Sequence, residues 1–69
     1  MSAGPFTDDD LAACAQRELR QRRKVYPRLV RHGTMSGAAA EREIAMMEAI
    51  ARHFEARVAA DPQRGGRLL

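Results

Sequence analysis

Cysteine, aromatic residues and long hydrophobic runs are scarce in this sequence. Cys14 is the only cysteine among 69 residues, which excludes an intramolecular disulfide and fits a reducing compartment. The aromatic residues are Phe6, Tyr26 and Phe54, with no Trp. No stretch approaches the roughly 20 consecutive apolar residues of a membrane-spanning helix, and the N-terminus lacks the basic and apolar regions of a signal peptide. We therefore expect a cytoplasmic protein without membrane contact.

Motifs for catalysis and metal binding are also missing. His32 and His53 are far apart in sequence and distant from Cys14, and there is no HExxH or CxxC motif, so we expect no metal site. We find no glycine-rich phosphate loop and no nucleophile with a base in register. The sequence therefore predicts a non-enzymatic protein without a cofactor, which acts by binding another macromolecule.

Positive charge is concentrated on one segment. The chain has 12 Lys and Arg against 9 Asp and Glu, a net charge of +3. Residues 17–31 contain seven basic residues and one acidic residue, a sum of +6, whereas residues 8–10 sum to −3. Five of these cations recur every three or four residues and form a basic stripe: Arg17, Arg20, Lys24, Arg28 and Arg31. The stripe would line about 21 Å of helix and could face nucleic-acid phosphates, an acidic protein surface or only solvent.

The start of the first helix is marked by three agreeing signals. Thr7 and Asp10 have the spacing of a capping box, three aspartates fall in the first turn, and Phe6 and Leu11 occupy the positions of a hydrophobic staple. We predict a helix over about residues 8–32, with a kink or a break near Pro27 and an end at Gly33.

A second helix is predicted over about residues 37–60. Ser36 is its N-cap, and Asp61-Pro62 ends it. We expect residues 1–60 to form one helical-hairpin domain, followed by a flexible tail over 61–69.

Apolar residues form matching rows on the two predicted helices. On the first helix the spacings are 3, 4, 3, 4, 3 and only Arg22 is polar; on the second they are 4, 3, 4, 3, 4 and every member is apolar. The two rows together are the hairpin seam: Ala12, Ala15, Leu19, Arg22, Tyr26 and Leu29 with Ala40, Ile44, Met47, Ala51, Phe54 and Val58. Folding at residues 33–36 pairs the rows antiparallel, with Arg22 level with Met47. The fold class is therefore an all-α antiparallel two-helix hairpin.

A single hairpin cannot cover all the apolar side chains. Val25, Val30, Met46 and Ile50 lie beside the hairpin seam or off it, and a chain of this size buries a small core. We expect dimerisation into a four-helix bundle, with Ile50 as a further core or oligomer contact.

Arg22 within the apolar seam allows two interpretations. Its stem could pack on Met47 at the seam edge while its head reaches Glu43 or Glu48. It could instead set the register or the oligomeric state. We expect the edge position.

The stretch from residue 22 to residue 50 resembles small helical proteins of unassigned function that bacteriophages and prophages encode. They share a basic helix, a Tyr-Pro pair, a Gly-x-Met turn and a helix with the pattern Ala-x-x-Glu-Ile-x-x-Met-x-Ala-Ile. The matching residues here are Val25, Tyr26, Pro27, Gly33, Met35, Ala40, Glu43, Ile44, Met47, Ala49 and Ile50. The first turn after Ser36, Gly-Ala-Ala, is less acidic than that pattern. The resemblance implies an origin in a mobile element and a bacterial host cell.

Three functional hypotheses follow. The favoured one is a phage or prophage accessory protein that binds a host or phage protein complex through a helical surface, for example as an inhibitor of host defence of the anti-CRISPR kind. The second is a nucleic-acid-binding accessory protein that uses the basic stripe. The third is a small structural or assembly component whose hairpin oligomerises.

Overall fold

The first helix begins at the predicted capping box. In the computed structural model, which describes residues 4–61, α1 spans Asp8–Arg31. The Thr7 Oγ1 atom accepts a hydrogen bond from the Asp10 backbone N–H at 3.0 Å, and Asp10 Oδ2 accepts one from the Thr7 N–H at 3.1 Å. Phe6 remains 61% exposed, so the expected hydrophobic staple buries little of its ring.

Pro27 does not break α1. The helix continues without interruption from Asp8 to Arg31 with Pro27 inside it, so the predicted break is wrong, while the predicted kink stays a prediction. Proline removes one backbone hydrogen bond, but Tyr26 and Leu29 are half-buried on either side of it. Packing of these side chains offsets the weak helix propensity of proline.

A glycine turn joins α1 to the second helix, α2, which spans Gly37–Ala59. Gly33 has a φ of +78°, and the Thr34 N–H donates to the Leu29 carbonyl at 3.0 Å while the Gly33 N–H donates to the Val30 carbonyl at 3.1 Å. These two bonds form a Schellman motif. The Ser36 hydroxyl then accepts from the Ala39 N–H at 3.0 Å, which confirms the predicted N-cap of α2.

The two helices pack against each other along the hairpin seam. Five of its members are buried, and the other seven are half-buried. The buried members are Ala15, Leu19, Ala40, Met47 and Ala51. The half-buried members are Ala12, Arg22, Tyr26, Leu29, Ile44, Phe54 and Val58. The predicted all-α hairpin is therefore confirmed, and the buried residues within 4–61 all belong to the predicted seam positions.

Ile50 does not belong to the hairpin core. Its side chain is 44% exposed, because its position lies about 80° around α2 from the centre of the hairpin-seam positions. The expectation that it contributes to the core is wrong for the hairpin, and its role in an oligomer stays a prediction. Three of the five buried residues among 4–61 are alanine, so the hairpin buries few large apolar side chains.

The described part of the chain ends just after α2. The helix stops one residue before the predicted end, with Ala60 as its C-cap. Apart from Asp61, the predicted tail over 61–69 lies outside the described residues. Over residues 4–61, neither helix has an apolar stretch of the length needed to cross a bilayer.

Candidate functional site

The basic stripe lies on the side of α1 opposite the hairpin seam. All five of its side chains are exposed. At about 100° per residue, its members occupy an arc of about 80°, centred about 170° from the centre of the α1 seam positions. The stripe is therefore a straight row of cations on the outer side of the hairpin.

The cations of the stripe have no acidic partner within the described chain. Over residues 4–61, none of the five makes an ion pair or a side-chain hydrogen bond. By contrast, Arg22, Arg23 and Arg57 on the flanks of the hairpin seam all pair with carboxylates. Three of these ion pairs connect α1 with α2. None of them compensates the charge of the stripe.

Arg22 lies at the edge of the seam, as expected. Its Nε donates to Glu18 Oε2 at 3.0 Å, and its Nη1 donates to the Glu43 carbonyl oxygen at 2.8 Å. The same Nη1 lies 3.6 Å from Glu43 Oε1, and the guanidinium carbon lies 5.9 Å from the centroid of the Tyr26 ring. The hydrogen bond to Glu18, with smaller contributions from Tyr26 and the Glu43 carboxylate, raises the pKa of Arg22 despite its partial burial. Arg22 therefore bridges α1 and α2 as a cation.

Of the two acidic partners proposed for Arg22, only Glu43 is used. Glu48 instead pairs with Arg23, because Arg23 lies on the opposite flank of the α1 seam, about 100° around the helix from Arg22. On this flank Gln16 also donates to Glu55. On the Arg22 flank, Arg57 Nε donates to Asp8 Oδ1 at 3.0 Å. Polar contacts between α1 and α2 thus lie along both flanks of the hairpin seam.

A shallow groove between the helices adjoins the end of the stripe. Its apolar lining includes Tyr26, Pro27, Val30 and Ile44. Arg31, the last member of the stripe, also lines it. This groove was not predicted from the sequence. Val30, an apolar residue outside the seam, was the one sequence feature that could have indicated an apolar surface there. The stripe and the groove form one continuous surface at the turn end of the hairpin.

The residues with reactive side chains are not brought together. Cys14 is an exposed free thiol. The His53 ring packs edge-on against the Phe54 ring, with 5.0 Å between centroids. In the part of the chain that the structure describes, no group of three or more His, Cys, Asp or Glu side chains could hold a metal ion. The candidate site is therefore a charged surface.

Comparison with known proteins found no relative of this chain. No protein-family model, curated protein or solved structure matches the chain. The resemblance to phage and prophage proteins stays a prediction. The basic stripe is the feature of the molecule that bears on function.

Proposed function

We propose that this chain is a non-enzymatic accessory protein of a phage or prophage, which binds an acidic surface of a host or phage protein complex in the bacterial cytoplasm. The observation that supports this proposal is the basic stripe, five exposed cations without ion pairs in residues 4–61. Unpaired surface charge of one sign steers association with a partner of opposite sign. Covering an acidic surface, or plugging a site with Arg side chains, would inhibit a complex such as a host defence assembly.

A nucleic acid is the second candidate partner. Five cations at intervals of about 4.5–6 Å along a helix could follow a phosphate backbone. The stripe itself contains only Arg and Lys, and the three aromatic residues Phe6, Tyr26 and Phe54 lie elsewhere. It therefore lacks the aromatic platform on which single-stranded bases stack. This composition favours the protein partner over sequence-tolerant binding of single strands.

We also propose that the hairpin forms a homodimer, as a four-helix bundle. The core of one hairpin is thin, since Leu19 and Met47 are the only large residues among the five that are buried within 4–61. Met46 and Ile50 remain exposed in the hairpin. Small domains with so little buried apolar surface usually gain stability from association. If the chain is a structural or assembly component, self-association would be the whole of its function, and no further partner would be needed.

The partner of the stripe can be tested with two matched variants. In the first, Gln replaces all five stripe residues; Gln is a good helix former, so the hairpin should keep its helical circular dichroism. In the control, Arg42→Gln and Arg52→Gln remove two exposed charges from α2 that also lack ion pairs in the described chain. The proposal predicts that wild type and control capture the same host or phage protein, and that the stripe variant does not.

A salt series separates protein from nucleic acid. If the stripe bound about four phosphates, the affinity for duplex DNA or RNA would fall on the order of 100-fold between 50 and 200 mM salt. Binding of nucleic acid at low salt that the stripe variant loses would establish the second candidate. Capture of the same protein by wild type and stripe variant alike would overturn the proposed role of the stripe.

A further inference from the structure

A second row of side chains runs along α2 beside the hairpin seam, on the flank where Glu43 and Arg57 contact α1. Its members follow spacings of 4, 3, 4, 3, 4, the same heptad-like pattern as the hairpin seam. Met46 is 40% exposed and Ile50 is 44% exposed at its centre, so the middle of the row is apolar and accessible. We call this row the second seam: Ala39, Glu43, Met46, Ile50, His53 and Arg57.

The position of the second seam around α2 matches the geometry of a four-helix bundle. At about 100° per residue, its centre lies about 100° from the centre of the hairpin-seam positions of α2. In a four-helix bundle each helix contacts two neighbours on faces roughly at right angles. The first neighbour of α2 is α1. The second seam points to where a further helix would lie.

The second seam is complementary to itself in the antiparallel direction. Its residue numbers are symmetric about position 48, so a copy of α2 running in the opposite direction would place Met46 against Ile50. In the same register Glu43 would face His53 of the other chain, and the small Ala39 would face the long Arg57. This arrangement places apolar residues at the centre and a carboxylate against an imidazole on both sides, so that the same patch serves both chains of an isologous two-fold interface.

Arg57 is paired with Asp8 within the hairpin, whereas Glu43 and His53 remain accessible to a second chain. The side chain of Glu43 keeps 41% of its exposure despite its 3.6 Å contact with Arg22. His53 is exposed and makes no hydrogen bond or ion pair with residues 4–61, and its ring packs against the ring of Phe54. A carboxylate and an imidazole thus stand at symmetric positions, each with room for a partner.

We propose that the second seam is the homodimer interface, and that its occupant is α2 of a second copy, antiparallel about a two-fold axis level with Glu48. This inference rests on the homodimer proposed above and specifies its contact. The pairing of residue types favours a second copy, because one face of α2 supplies both sides of the apolar contact, Met46 against Ile50, and both sides of the polar contact, Glu43 against His53.

The test uses charge exchange in the full chain, with mass measured by sedimentation at micromolar concentration. Met46→Lys alone and Ile50→Glu alone each place a charge against an apolar side chain of the other copy. Each should raise the dimer dissociation constant about 10- to 100-fold. The double variant brings each introduced ammonium group opposite an introduced carboxylate, and should recover most of the affinity.

Matched controls carry the same charges outside the second seam. Ala45→Lys and Ala56→Glu lie on α2, are exposed and are about 100–120° around the helix from the second seam, so the dimer should keep its affinity. Since all four positions are exposed, each variant should retain its helical circular dichroism. His53→Glu gives an independent reading, because it sets two carboxylates against each other and should weaken the dimer.

The outcomes separate this inference from the dimer itself. A wild-type chain that is monomeric at 100 µM would overturn both proposals. A wild-type dimer that tolerates Met46→Lys, Ile50→Glu and His53→Glu would keep the dimer and overturn this interface. Dissociation by the single variants without recovery in the double variant would overturn the antiparallel register.

Discussion

Arg22 shows how one charged residue can occupy an apolar seam at small cost. Its side chain is 21% exposed, so the guanidinium keeps contact with water while its stem lies at the edge of the seam. Its Nε and Nη1 donate to Glu18 and to the Glu43 carbonyl. A buried charge without such partners would strongly destabilise the hairpin. The edge position makes Arg22 a link between the helices.

Replacement of Arg22 should therefore cost more than replacement of its neighbour. We expect Arg22→Ala to lower the free energy of unfolding by about 1–2 kcal/mol, through loss of the stem contacts and of the hydrogen bond across the helices. Arg23→Ala removes only the more exposed pair with Glu48 and should cost less than about 0.5 kcal/mol. Urea unfolding at fixed protein concentration measures both, and equal losses would contradict the bridging role of Arg22.

At the scale of the helices, the ends were predictable and the contacts between side chains were not. Thr7, Ser36 and Gly33 act through the backbone next to them, so their effects can be read from the local sequence. The hairpin seam was predictable because its spacing is periodic. Arg22 reaches Glu43 and not Glu48 because the two glutamates lie on opposite flanks of the seam, a distinction that the apolar spacings alone do not make. The continuous path of α1 through Pro27 depends on packing against α2, which local propensity does not include.

The turn between α1 and α2 gives a matched pair of glycine substitutions. Gly33 has a φ of +78°, so Gly33→Ala should destabilise the protein by about 1–2 kcal/mol. Gly37 begins α2, and a Cβ atom there would meet nothing within 4 Å. Gly37→Ala should be neutral or stabilise by up to about 1 kcal/mol. Thermal unfolding of the two variants at one concentration measures the difference, and a loss of stability at Gly37 equal to that at Gly33 would show that the turn geometry is not the cause.

At the scale of the whole molecule, the folding of this chain should depend on its concentration. Three of the five buried residues in the described part of the chain are alanines, and a core of this kind leaves little margin over the conformational entropy of folding. If folding is coupled to dimerisation, raising the protein concentration from about 2 to 200 µM should raise the melting temperature by on the order of 5–10 °C. Circular dichroism at several path lengths measures this shift. Met46→Lys should reduce it, and a melting temperature independent of concentration would contradict the coupling.

The placement of the basic stripe opposite the hairpin seam has a consequence for valency. In the proposed two-fold dimer, both copies of α1 lie on the same side of the bundle, because the axis passes between the two antiparallel α2 helices. The two stripes then run side by side in opposite directions, one helix diameter of about 10 Å apart. A single partner would meet two equivalent tracks, and engagement of the second would be intramolecular once the first is bound. Dilution below the dimer dissociation constant would separate the two chains. The affinity for the partner would then fall far more than expected from halving the number of cations.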